Sequence, residues 1–333
     1  MKKNINVAIL ALVLAALPVT VRAFVITFDY TYDTTGFFGN TTAKAALEAA
    51  ASDISDVLRG SALGALQSSY TGTAGTGAVA LKWEASLKNP ATGEKLSLLP
   101  PLTANAFTIY VGARSLSGNT LGQGGPAGIS YRTGGSADTQ EDLDAATAAA
   151  KVVASAGFAR GGPIIGSANG ISYGTLAGNL WFDNDASTAW HFDHTTAVES
   201  ASNDFYSVAL HEILHTLGYG IGETWNSLKT GNTWSGEAAT GTSIDGGHLA
   251  SGTQSQIITG SVLQDAVMTP SINIGTRKYL TELDLAILSD LGYTVMHPAA
   301  AVPELATVAL MAGLAALLAG AARLARRQPR SRS

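Results

Sequence analysis

The sequence predicts an α+β domain, from three observations. Strand-like alternation opens the body, capped helical faces recur along it, and the two kinds of segment alternate without an internal repeat. Phe24, Ile26 and Phe28 alternate with Val25, Thr27 and Asp29, the period-two pattern of a strand across residues 24–32. After the turn 36–40, Thr41 or Thr42 caps a helix whose apolar face is Leu47, Ala50, Ile54, Val57 and Leu58, and Gly60 ends it. Residues 78–87 and 107–113 read as strands, 118–128 as a glycine-rich loop and 142–156 as an alanine-rich helix. A short strand, 178–182, precedes the turn Asp183-Asn184-Asp185. The sheet these strands form is expected to be twisted.

Composition narrows the chemistry. The chain has 333 residues and no cysteine, which excludes a disulfide scaffold, a Cys-ligated zinc finger, an iron–sulfur cluster and a thiol nucleophile. The formal charge of −5 hides an asymmetry, because eight of the 20 basic residues sit in the two ends. The stretch 24–322 keeps the remaining 12 against 25 acidic residues. Such an acidic body is poorly suited to nucleic acid.

Both ends read as addresses. Lys2 and Lys3, an apolar run over 7–17 and the small-residue site Val21-Arg22-Ala23 form the three parts of a signal peptide over 1–23. The run is shorter than the roughly 20 residues of a spanning helix, so cleavage after Ala23 and export are expected. The body then occupies 24–298 and a tail 299–333. Within the tail, the apolar stretch 305–322 followed by Arg323, Arg326 and Arg327 reads as a transmembrane helix with its positive end in the cytoplasm.

The chemistry is concentrated in His211-Glu212-Ile213-Leu214-His215. Ser202, Asn203 and Asp204 begin a helix there and Gly218 ends it. On that helix His211 and His215 lie on one face, so both imidazoles reach one metal ion, and the paired imidazoles with a carboxylate favour zinc. Glu212, beside them, is placed to take a proton from water whose pKa the metal has lowered. A third ligand is required. Among the remaining histidines, His191, His194, His248 and His297, His248 is best placed, because the loop 223–243 is long enough to return to the metal. Asp245, Glu237 and Glu223 are rivals, followed by His194. Asp183, Asp185, Asp193 and Asp245 lie in turns that offer oxygen ligands to Ca2+, although no EF-hand spacing is present and solvated turns are the simpler reading. Tyr219 and Tyr279 are candidate donors to a tetrahedral oxyanion.

Further on come Ala266-Val267-Met268-Thr269-Pro270 and a helix capped by Thr281 with Asp284 three residues later. Paired histidines, glycine bend, delayed histidine, methionine turn and C-terminal helix form an order that resembles the metzincin metalloproteases of the leishmanolysin type. The metzincin pattern His-Glu-x-x-His-x-x-Gly-x-x-His is followed through Gly218, and Ile221 stands at its last position. The resemblance implies a metzincin-like catalytic domain, one Zn2+ held by His211, His215 and His248, Glu212 as general base, Gly218 turning the chain and Met268 as an apolar floor. It also implies a zinc endopeptidase with a protein or peptide substrate, lying extended along the strand 176–182. The chain's end resembles a PEP-CTERM sorting tail, with Val302-Pro303-Glu304-Leu305 in place of the box and leucine for its second proline. That likeness implies export machinery and an exosortase as partners, and a secreted or cell-surface place outside a Gram-negative bacterium; a permanent C-terminal anchor is the alternative. Ile221 feeds a different reading of function, a catalytically inactive, surface-attached adhesin or matrix-binding protein.

Overall fold

A computed structural model describes residues 24–98 and 102–297. The expected leader 1–23 and the tail 299–333, with its apolar stretch 305–322, lie outside the described residues. Among the described residues no helix is long and apolar enough to cross a membrane.

The fold is mixed α+β with a twisted sheet. The chain opens with β1 (Val25–Asp29) and α1 (Thr41–Val57), then β2 (Ser69–Ala74), β3 (Gly77–Lys88) and β4 (Lys95–Leu98). Next come β5 (Ala106–Arg114), β6 (Gly122–Pro126), β7 (Gly128–Ser136) and α2 (Gln140–Phe158). A hairpin of β8 (Ile164–Ala168) and β9 (Ile171–Gly174) leads into β10 (Ala177–Asp183). The helices α3 (Phe205–Thr216), α4 (Glu223–Ser227) and α5 (Glu282–Asp290) follow.

The main sheet has the order β1-β5-β10-β6. β1 and β10 flank β5 in parallel, pairing Val25 with Ala106 and Ala177 with Thr108. β6 runs antiparallel to β10, with Pro126 opposite Gly178. All seven residues of β10 are buried, because the strand has a neighbour on each side and a layer on each face. On one face lie α1 and α3, and the α1 residues Leu47, Ala50, Ile54 and Val57 are fully buried, as their spacing predicts. The cap of α1 is Asn40 instead of Thr41 or Thr42. Its side-chain oxygen accepts the N–H groups of Thr42 at 3.0 Å and Ala43 at 3.2 Å; asparagine is the stronger cap, and it leaves both threonines inside the first turn.

The other face of the main sheet meets a second, antiparallel sheet. There β3 carries β7 along one edge and β2 and β4 in succession along the other. Ala146, Ala150, Ala154 and Phe158, four apart on α2, are fully buried in the core beneath this sheet. β6 and β7 are joined by Ala127 alone, so one segment serves both sheets. This corrects the reading of 118–128 as a loop: its glycines, glutamine and proline show no alternation, and backbone pairing to β10 makes Gly122–Pro126 a strand all the same.

Candidate metal centre

The helix that carries the histidines is fixed at both ends. At its start the Asp204 side chain accepts the Ser207 N–H at 3.1 Å and the Ser207 hydroxyl at 2.6 Å. Arg277 binds the same carboxylate, Nη2 to Oδ1 at 2.6 Å and Nε to both oxygens at 3.1 Å. Asp204 is fully buried, so Arg277→Met would strand an uncompensated charge. A loss of about 3–5 kcal/mol is expected, measured as a lower urea midpoint.

The other end forms a reversal that builds part of the site. Gly218 has φ +92°, a left-handed conformation that glycine adopts without penalty. The Tyr219 N–H then reaches the Leu214 carbonyl and the Gly218 N–H that of His215, at 3.2 and 3.0 Å, which is a Schellman ending. The reversed chain turns the Tyr219 carbonyl back onto the helix, where it accepts from His215 Nδ1 at 2.8 Å.

His211 is oriented from the opposite wall. Its Nδ1 donates to the Val267 carbonyl at 2.9 Å, in the turn 266–270. That turn is clamped by the buried Asp284 carboxylate, which accepts the N–H groups of Val267 at 3.1 Å and Met268 at 3.3 Å. Asp284 also completes a capping box with Thr281 at the start of α5, so one side chain ties that helix to the turn. The Met268 carbonyl accepts from the Leu249 N–H at 2.9 Å. This anchors the two-residue pairing of Ile244–Asp245 with His248–Leu249 and brings His248 to the helix.

The three imidazoles converge. His215 Nε2 lies 3.1 Å from His211 Nε2 and 3.2 Å from His248 Nε2. Carbonyl oxygens only accept, so the Nδ1 atoms of His211 and His215 carry the protons and their Nε2 atoms present lone pairs. Between His211 and His215 these lone pairs face one another at 3.1 Å and form no hydrogen bond. The spacing suits a tetrahedral ion, whose nitrogen ligands at 2.0–2.1 Å sit roughly 3.3 Å apart, and the backbone-held Nδ1 is the support that metal-binding histidines use. Burial pushes the His211 pKa well below its usual value, helped by His215, and lowers His215 to about 4. Burial also lowers His248. All three are neutral near pH 7, as metal ligands must be. The residues therefore fit a zinc ion, and they are the group of three or more metal-ligating side chains found among the described residues.

Glu212 sits beside them, 5% exposed, with Oε2 lacking any partner among the described residues. Burial raises its pKa to about 8 against a smaller opposing effect of the Gly124 N–H. The site opens into a cleft of about 1140 Å³ between β6 on one side and the segment 267–274 on the other. α3 passes directly under β6. A Cβ on Gly124 would fall 2.4 Å from the Glu212 carbonyl oxygen, so Gly124→Ala is expected to force the helix and strand apart at a cost of about 1–3 kcal/mol, read by denaturant titration.

The structure corrects the placement of a peptide along 176–182. β10 is paired on both sides, to β5 and to β6, and has no free backbone groups to offer. The edge that borders the cleft is β6. The sequence hides this because β10 has the apolar composition of a strand whereas β6 does not.

The other candidates are dispersed. Met268 is fully buried within the turn that holds both His211 and Leu249. Tyr219 is fully buried against Trp225, with its hydroxyl facing no partner among the described residues; its carbonyl serves His215, and its ring does not line the cleft. Tyr279 is 44% exposed and borders a separate hollow with Asp53, His194 and Tyr206. Asp245 is exposed opposite His248 in the hairpin, Glu237 is exposed in its loop and Glu223 accepts from Ser167. None of these joins the histidine cluster, and neither does His194. Asp183, Asp185 and Asp193 accept N–H and O–H groups from their own turns, the ordinary work of turn aspartates. Ile221 lies at the cleft rim, 37% exposed. The role of Asp284 at the turn, and Lys278 in the cleft wall, have no sequence signal beyond their residue types.

The chain matches no family model, no curated protein and no solved structure.

Proposed function

We propose that the protein is a zinc-dependent endopeptidase of the metzincin type, acting on proteins or peptides. The observation that carries this reading is the convergence of three histidine Nε2 atoms on one point, with a buried, unpartnered Glu212 carboxylate oxygen beside them. When bound by His211, His215 and His248, zinc supplies a Lewis acid that acidifies water and polarises a carbonyl. Glu212 Oε2 accepts the proton of the attacking water as general base. The same oxygen then delivers the proton to the departing amine. The free edge of β6 offers N–H and C=O groups to an extended substrate, by strand addition.

Placing His248 in the ligand set removes the need for a ligand at Ile221, which favours catalysis over the adhesin reading. The leader and tail add export across the inner membrane and attachment at, or release from, the cell surface to the proposal.

A peptide-library digest read by mass spectrometry tests it. Zinc-loaded protein is expected to cut peptides, lose this on chelation and regain it with zinc. Stoichiometric zinc without cleavage would overturn the enzyme reading in favour of a binding protein.

A further inference from the structure

Lys278 occupies an unusual place for a lysine. Only 7% exposed, it lines the cleft together with Ser207, Val208, Thr269 and Ser271. Its ammonium donates to the Thr269 hydroxyl at 2.6 Å, the Ser271 carbonyl at 2.7 Å and, more weakly, the Ala266 carbonyl at 3.3 Å. All three acceptors are neutral. Among the described residues no carboxylate pairs with it. The carboxylates that favour its charge, Asp265 and Asp284, act from beyond contact distance, so a buried ammonium in this cleft still gains from a carboxylate brought directly against it.

The charge around it points the same way. The body is acidic, yet the acidic side chain lining the cleft among the described residues is Glu212, against the cations Lys88 and Lys278. A bound zinc ion would add further positive charge. The cleft therefore selects for anions within an acidic molecule.

Strand polarity places that selection on one side of the cut bond. β6 starts over the middle of α3, where a Cβ on Gly122 would meet Glu212 at 2.9 Å and Val208 at 3.1 Å, and ends toward Ile221, 3.6 Å from a Cβ on Gly125. A peptide paired antiparallel to β6, the geometry with the stronger ladder, runs the opposite way. Its N-terminal part lies by Ile221 and His248. Its C-terminal part leaves past Val208 and Ser207, and the Ser207 hydroxyl accepts the main-chain N–H of Lys278 at 2.7 Å, which sets that residue in the wall there.

We propose that Lys278 is a specificity-determining residue that selects peptides with an aspartate or glutamate immediately C-terminal to the bond that is cut. The proposal rests on the peptidase reading above. The incoming carboxylate takes over the hydrogen held loosely by the Ala266 carbonyl and supplies a counter-charge in direct contact, in a partly desolvated pocket.

The test is a set of peptides identical except for Asp, Asn, Leu or Lys at that position, offered to the zinc-loaded full chain. The expected result is a kcat/KM for Asp about tenfold or more above that for Asn, shrinking as ionic strength rises. In Lys278→Met the Asp-to-Asn ratio is expected to fall toward one. A purely structural lysine would lower every peptide alike and leave that ratio intact, which would overturn the proposal, as would a parent that treats Asp and Asn equally. If Lys278→Met does not fold, the parent's ratio and its salt dependence decide. Fluorescence anisotropy of the same peptides on zinc-loaded Glu212→Ala reads the preference without turnover. Tighter binding of Asp peptides beside a parent that cuts nothing would overturn the peptidase reading and keep the charge selection; equal binding would overturn the selection itself.

Discussion

Replacing Glu212 by alanine is expected to slow peptide hydrolysis about 10²- to 10⁴-fold and, in the same molecule, to raise stability by about 1 kcal/mol. The two effects share one cause. Glu212 is buried, and Oε2 has no partner among the described residues; a carboxylate left in that condition costs the folded state while remaining free to exchange a proton with water. Losing the side chain removes the penalty together with the base. Linkage gives the pH dependence for the metal-free protein. The folded pKa, about 8, lies above the ordinary 4.5, so folded protein binds the proton more tightly than unfolded protein does. The parent's stability relative to the variant is therefore highest below about pH 4.5, falls as pH rises and levels off above about pH 8. Turnover and urea unfolding across that range test both halves. A variant retaining activity within about tenfold of the parent would remove Glu212 from the role of base.

Chelating the metal is expected to have the second-largest effect. Where free zinc had stood at about a thousand times its Kd, removal should cost about 4 kcal/mol of stability. In the metal-free site the Nε2 lone pairs of His211 and His215 face one another at 3.1 Å, so an ion bound between them would relieve a repulsion besides adding bonds. His248→Ala should abolish most of the zinc-dependent gain while leaving the metal-free protein close to the parent, because the ring stands partly exposed at the hairpin. Urea unfolding with and without chelator measures both. An undiminished zinc effect in His248→Ala would place the third ligand elsewhere, with the neighbouring Asp245 the first to examine.

Much of this was legible in the sequence where local chemistry is strong. The capped helix at Thr281, the apolar face of α1 and the glycine ending of α3 are short-range patterns, and the structure reproduces them with small shifts such as Asn40 for Thr41. The pair His211 and His215 follows from helical spacing alone, whereas the length of the returning loop made His248 only the best placed of several candidates, beside Asp245, Glu237, Glu223 and His194. Other features depend on contacts far along the chain. β6 has no apolar rhythm, since its glycines answer to the helix beneath them and not to a core of their own. Asp284 announces itself as a cap, yet its hold on Val267 and Met268 spans 17 and 16 residues. Tyr219 was chosen for its hydroxyl, whereas its carbonyl is the group that meets the site.

Asp284 also sets the order in which the site is completed. A chain that leaves the ribosome or crosses a membrane N-terminus first presents both helix histidines, and then His248, well before α5 has emerged. Until then the Val267 carbonyl that orients His211 hangs on a turn without its clamp. All three histidines are thus synthesised before the side chain that clamps the turn behind His211.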